Sequence, residues 1–206
     1  MIELTVAAAI DRAKALAAGG RALLGIAGCP GAGKSTLSAA VGADVAASVV
    51  VPMDGFHLLN DELVRLGRRN RKGAPDTFDV DAYVALLARL RHQQAGEVIT
   101  APRYDRAASA PVPDAITVGF AAALVVTEGN YLLLDEAPWT PVRSLLDEVW
   151  FVEVDDAVRV PRLIARHIEF GKSPAEAREW VMRSDEANAA LVAATRNRAD
   201  VVVRLS

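Results

Sequence analysis

Gly28-Cys-Pro-Gly-Ala-Gly-Lys-Ser-Thr36 fits G-x-x-x-x-G-K-[ST], and it dictates what the chain around it must form. Gly28, Gly31 and Gly33 let the backbone turn sharply and bring its N–H groups up to an anion with no Cβ between them. A helix starting near Gly33 aims its free N–H groups and positive dipole end at the same anion. Lys34 supplies a full charge for β/γ-phosphates, and the Ser35 hydroxyl is a ligand for Mg²⁺. Eight residues fit a pattern by chance often enough that the flanks must agree. Residues 23–27 are a short apolar run, and Leu37, Ala40 and Val41 follow the loop at helical spacing. Strand, loop and helix therefore come in the required order.

The rest of the chain repeats that alternation. Short apolar, β-branched runs at residues 48–51, 122–127, 149–154 and 200–205 read as buried strands, with helical patterns between them. Residues 3–18 read as an opening helix, and Asp79 caps another that carries Val80, Tyr83, Val84, Leu87 and Leu90. Prolines between Gly96 and Gly119 predict an irregular stretch. A helix over 161–170 follows the fourth strand, and Ser173-Pro-Ala-Glu176 combines a capping box with proline at the first helical position. Apolar rather than alternating strands imply a mostly parallel, five-stranded sheet covered on both faces. The expected architecture is a three-layer α/β/α nucleoside-triphosphatase fold in one domain over residues 1–206, with a lid near 159–185.

Composition sets the outer limits. Hydrophobic residues make up 52% and charged ones 24%, which is globular rather than disordered. A net charge of −3 gives no global reason to bind nucleic acid. The apolar runs are too short for a bilayer span, and Asp11, Arg12 and Lys14 interrupt what would be a leader, so a cytoplasmic protein without a membrane partner is expected. The single cysteine, Cys29, excludes an internal disulfide. At the helix N-terminus its thiol pKa would be lowered, unless the residue is only a small spacer.

In a parallel sheet, ligands bind beyond the carboxyl ends of the strands. Asp54 follows the second strand and Glu128 ends the third, so both share the edge with Lys34 and Ser35. A phosphoryl acceptor and a bound Mg²⁺ need carboxylates of this kind, one for the hydroxyl proton and one for the metal. Arg159, Arg162 and Arg166 recur on one helix face opposite Val160, Leu163, Ile164 and Ile168, a pattern for a lid or for a solvated basic face. Arg65, Arg68, Arg69, Arg71 and Lys72 form a basic cluster beside Asp61 and Glu62; without interleaved aromatics it reads as a loop over an anionic substrate, or as plain solvation.

These segments, in order, resemble the P-loop kinases of the phosphoribulokinase, uridine kinase and pantothenate kinase family. The similarity rests on the phosphate loop, Met53-Asp-Gly-Phe-His57, residues 71–79, Glu128-Gly-Asn-Tyr131 and residues 195–200. It extends to bacterial pantothenate-kinase-like proteins labelled fructose transport system kinases. The resemblance implies ATP and Mg²⁺ as cofactors, bound by Gly28, Cys29, Pro30, Gly31, Ala32, Gly33, Lys34, Ser35 and Thr36. It implies Ser35 and Glu128 as metal ligands, Asp54 as catalytic base, and Arg162 and Arg166 with Lys34 at the transferring phosphoryl group. Asn188, Thr195 and Arg196 fall near the adenine, and Phe56, His57, Arg103, Tyr104, Arg106 and Tyr131 on the acceptor side. The implied reaction phosphorylates a hydroxyl of a small molecule, such as a sugar, a nucleoside or pantothenate; for the assembly, a homodimer is one expectation. A GTPase switch is disfavoured: no D-x-x-G occurs, and Asn197-Arg-Ala-Asp200 precedes its strand instead of following one.

Overall fold

Alternate residues of the most buried strand, Ala22–Gly28, enter different cores. Leu23 and Ala27 pack with Val125, Val149, Phe151 and Tyr83, whereas Leu24 and Ile26 pack with Leu37, Val41, Val126 and Trp150 on the opposite face. Burying such a side chain contributes roughly 1.5–3 kcal/mol, so a strand covered on both faces has no polar alternation to show.

The structure, a computed structural model, describes residues 2–205. In chain order its elements are β1 (Ile2–Leu4), α1 (Val6–Ala18), β2 (Ala22–Gly28), α2 (Lys34–Asp44), β3 (Ser48–Val50), α3 (Asn60–Arg65), α4 (Val80–Arg91) and β4 (Val98–Asp105). There follow β5 (Ala110–Gly119), β6 (Leu124–Gly129), α5 (Pro141–Ser144), β7 (Glu148–Glu153), α6 (Asp156–Glu169), α7 (Pro174–Trp180), α8 (Glu186–Ala193) and β8 (Val201–Arg204). The central sheet has the order β1-β8-β7-β2-β6-β3, and every pair in it is parallel. The three-layer α/β reading therefore holds, with six strands where five were expected. The additional one is β1, which pairs Ile2–Leu4 with Val201–Val203, so the opening helix begins only after Thr5 caps it.

The proline-rich stretch expected to be irregular is instead a two-stranded antiparallel ribbon, β4–β5. Its register shifts between Ala101 and Arg103, where Pro102 sits. A two-stranded ribbon has two free edges, so a residue without an N–H can be accommodated at a bulge or facing outward. Helix α6 starts five residues earlier than expected, capped by Asp155, and carries Pro161 in its interior. The capping box at Ser173 is formed as expected, but α7 runs through a π-helical turn, Val181–Asp185, directly into α8. No helix among the described residues is long and apolar enough to cross a membrane.

Candidate active site

Parallel pairing brings three strand ends to one edge. Ile26 in β2 is in register with Glu128 in β6, and Val50 in β3 with Val126 in β6. The phosphate loop, Glu128 and the 3₁₀ turn Met53–Phe56 after β3 therefore surround a common cleft of about 720 Å³. That volume is in the range of small-molecule sites.

The loop's shape depends on missing Cβ atoms. Gly31 has φ +79°, and a Cβ there would lie 2.6 Å from Leu163 Cγ of α6. Gly33 is the left-handed N-cap of α2, with no side chain to cap the first-turn amides of Lys34, Ser35 and Thr36. All three residues line the cleft, so those donors are left for a ligand. The buried Lys34 Nζ donates to Gly28 O at 2.9 Å, Cys29 O at 3.1 Å and Asn130 Oδ1 at 2.7 Å. Burial lowers its pKa, while Glu128 and Asp54 favour the charge.

Ser35 Oγ donates to Glu128 Oε1 at 2.9 Å. Glu128 is buried, and its carboxyl is pushed above the usual range by burial and then by Asp54, against Lys34 and Ser35. Arg106, on the β4–β5 turn, approaches Asp54 Oδ2 at only 3.5 Å. Arg166 lines the cleft from α6; burial lowers its pKa, and Arg106 nearby lowers it further. Arg162, exposed, lines the same wall.

On the other side His57 stacks between Phe78 and Tyr104, with ring centroids 4.1 and 4.6 Å away. Its Nδ1 lies 2.9 Å from the Asp54 carbonyl, and burial lowers its pKa, favouring the neutral ring. Neutral and bonded in this way, His57 keeps its N–H on Nδ1 and its lone pair on Nε2.

Several expected residues lie elsewhere. Phe56 is buried against Tyr83, at 5.1 Å between rings. Arg103 is exposed and outside the cleft lining. Thr195 is buried and donates to Val192 O, closing the end of α8. Arg196 pairs with Glu153 at 2.7 Å. Tyr131 and Asn188 both donate to Gly73 O, tying the basic loop to β6 and α8, and only Asn188 lines the cleft. Cys29 and Ala32 lie beneath the loop, away from the lining. Burial raises the Cys29 pKa, which outweighs Arg159 and Lys34 and reverses the lowering expected from its place beside the helix end.

The arginine face also divides. Arg159 is buried, bonded to Asp156 at 2.7 Å, Glu186 at 2.8 Å and Pro30 O at 3.2 Å. With Leu163 it fastens α6 to the phosphate loop, while Ile168 of the expected apolar stripe is exposed. Sequence reasoning missed Asn130, His167, Trp180 and Asp185, the last three set by long-range folding; it singled out Arg69 and Lys72 only as part of an undivided basic cluster. Asn130 alone had a signal, two residues after Glu128 on the same strand end. His167 bonds Asp185 of the π-helical turn at 2.8 Å, and Lys172 and Arg183 lie over the Trp180 ring. Single π-helical turns of this kind are frequent at functional sites.

Comparison with known proteins gives a consistent result. A model described as the phosphoribulokinase/uridine kinase family matches residues 23–206. The crystal structure of a "putative fructose transport system kinase" from Silicibacter sp. TM1040 is 36% identical, covers 97% of this chain and 98% of its own, and superposes with a TM-score of 0.86. "Putative uridine kinase C227.14" of Schizosaccharomyces pombe is 34% identical over 198 residues, 89% of this chain and 83% of the relative. The uncharacterized protein YggC of Escherichia coli K12 is 37% identical over 183 residues, 86% of this chain and 75% of its own length.

Proposed function

This chain belongs to the phosphoribulokinase/uridine kinase family, and we propose that it transfers the γ-phosphoryl group of ATP to a hydroxyl of a small metabolite. The observation that carries the reading is the position of Asp54. It stands on the same sheet edge as the Ser35–Glu128 pair, in a cleft also lined by Lys34, Arg162 and Arg166, with only a 3.5 Å contact to Arg106.

In this reading the amides from Gly31 to Ser35 and the Lys34 ammonium hold the β/γ-phosphates. Lys34 exchanges its present partners, two carbonyls and Asn130, for phosphate oxygens. Arg162 and Arg166 meet the charge on the moving phosphoryl group. Asp54 takes the proton of the attacking hydroxyl, and the hydrogen bond from His57 to its carbonyl fixes its backbone.

The residues present also fit Mg²⁺. A hydroxyl and one carboxylate, 2.9 Å apart at a strand end, form the sparse donor set of an ion completed by water and substrate phosphates. No cluster of three or more His, Cys, Asp or Glu among the described residues forms a dedicated metal cage. Ser35 and Glu128 would hold the ion, which would supply charge neutralisation for the transferring phosphate.

Fructose and uridine, named in the relatives, carry hydroxyls of the kind a phosphoryl group is transferred to, and the acceptor side of the cleft decides among such compounds. ADP release measured with sugars, nucleosides and pantothenate tests the proposal. Release that depends on one of these compounds is expected; ATP hydrolysis indifferent to all of them would point to a switch or a regulatory ATPase.

A further inference from the structure

The basic cluster at residues 65–72 is sorted by the fold. Arg65 pairs with Glu62 at 2.5 Å, and Arg68 and Arg71 pair with Asp76 at 3.3 and 2.6 Å. None of these three lines the cleft. The two members that do line it, Arg69 and Lys72, have no carboxylate partner among the described residues. Lys72 Nζ is half-buried and donates only to neutral oxygens, Asn60 Oδ1 and Ser109 O at 2.7 Å each and Ser109 Oγ at 3.2 Å. A third cation, Arg106, reaches the same region from the β4–β5 turn.

These charges stand at a defined place relative to the chemistry. His57 bonds the Asp54 carbonyl, its ring lies against Tyr104, and Lys72 Nζ sits 5.3 Å from the Tyr104 ring centroid. Asp54, His57, Tyr104 and Lys72 thus form one continuous wall of the cleft, with Asp54 at one end and Lys72 at the other. A neutral sugar or nucleoside against this wall would leave Arg69 and Lys72 uncompensated while displacing the water that solvates them, an arrangement that costs binding energy. A ligand with a negative group at the far end would recover it.

We propose that the acceptor is an anionic hydroxyl compound whose carboxylate or phosphate is bound by Arg69 and Lys72, with Arg106 bordering the hydroxyl end. The proposal rests on the kinase reading only for which end of the cleft receives the acceptor. Its test therefore reads binding apart from turnover. Protein saturated with a non-hydrolysable ATP analogue is titrated with glycerol, glycerate and glycerol 3-phosphate, and with fructose, gluconate and fructose 6-phosphate. In at least one set an anionic member should bind about tenfold or more tighter than the neutral one, the acid and ester arms separating carboxylate from phosphate. Arg69→Gln alters an exposed side chain, and it should weaken the anionic member by about tenfold while leaving the neutral one unchanged. Lys72→Met should do the same, with melting temperature reporting any loosening of the β4–β5 turn. Absence of anion preference in both sets, or a preference indifferent to Arg69→Gln, overturns the proposal. Anion-selective binding without ADP release would instead refute the kinase reading and leave the anion site standing.

Discussion

Asp54 and Lys34 do different work within one cleft, so their loss should look different in kinetics. Asp54 contacts neither the phosphate loop nor Lys34 by hydrogen bond, and its tightest ionic contact is the 3.5 Å approach of Arg106. Asp54→Asn is expected to lower kcat by about 10²–10⁴-fold while leaving affinity for an ATP analogue within about threefold. A variant with nearly normal kcat would remove Asp54 from the role of base. Lys34→Ala should weaken both analogue binding and turnover. Cys29 offers a third residue-level check. Its thiol donates to Ala189 O at 3.5 Å and its pKa is raised, so iodoacetamide should alkylate it at least about tenfold more slowly than free thiol at pH 8. Fast alkylation would contradict the burial. The motif residues were legible because a phosphate loop is local, its geometry written in eight consecutive residues. The partition of the basic cluster was not: Asp76 takes Arg68 and Arg71, but which cations face the cleft depends on how the loop is held, with Tyr131 and Asn188 both bonded to Gly73 O.

At the scale of elements, α6 and the phosphate loop are shaped to each other. Gly31→Ala would place a Cβ 2.6 Å from Leu163 Cγ at a φ of +79°, so both contact and backbone are strained. Its expected cost is about 1–3 kcal/mol of stability together with loss of ATP affinity. Gly31→Ala with Leu163→Ala should fail to restore affinity fully, because the backbone strain remains; full recovery would make the contact the only constraint. Helix α1 is fastened to β7 by Arg12, whose Nε and Nη2 meet Glu148 at 2.8 and 2.7 Å. Burial raises the Glu148 pKa, but Arg12 and Trp150 outweigh it and hold the carboxyl below its ordinary value. A depressed carboxyl pKa contributes stability that is complete above the unfolded-state value of about 4.3 and lost as pH falls through the folded-state value. Glu148→Gln should therefore cost about 1 kcal/mol of stability at pH 7, read as a lower melting temperature, and the difference from wild type should close as pH falls through the folded-state value. A difference independent of pH would assign the loss to packing. Strand–helix alternation was readable from apolar runs, but β1 was not. Three residues, Ile-Glu-Leu, carry no period, and only pairing with Val201–Val203 makes them a strand.

Across the whole molecule, two cores fix the sheet while the cleft's outer wall belongs to residues 159–185. We infer that this segment closes as a lid, pivoting beyond its anchored base. Arg159 and Leu163 are tied to the phosphate loop, and Gly171 has φ +98° after α6. Amide exchange over residues 166–183 should slow when an ATP analogue binds, with the backbone around Arg159 already protected without it. Uniform protection in both states would make the segment a fixed wall. The arginine spacing suggested such a lid from sequence, but it could not tell that Arg159 is a strut, because Glu186 and Pro30 are distant in the chain. The central claim is transfer to a hydroxyl rather than to water. It is tested most directly by following γ-labelled ATP with the protein, Mg²⁺ and the acceptor panel. The account predicts label on an acceptor hydroxyl in a one-to-one ratio with ADP; label released only as inorganic phosphate, at a rate no acceptor changes, would contradict it.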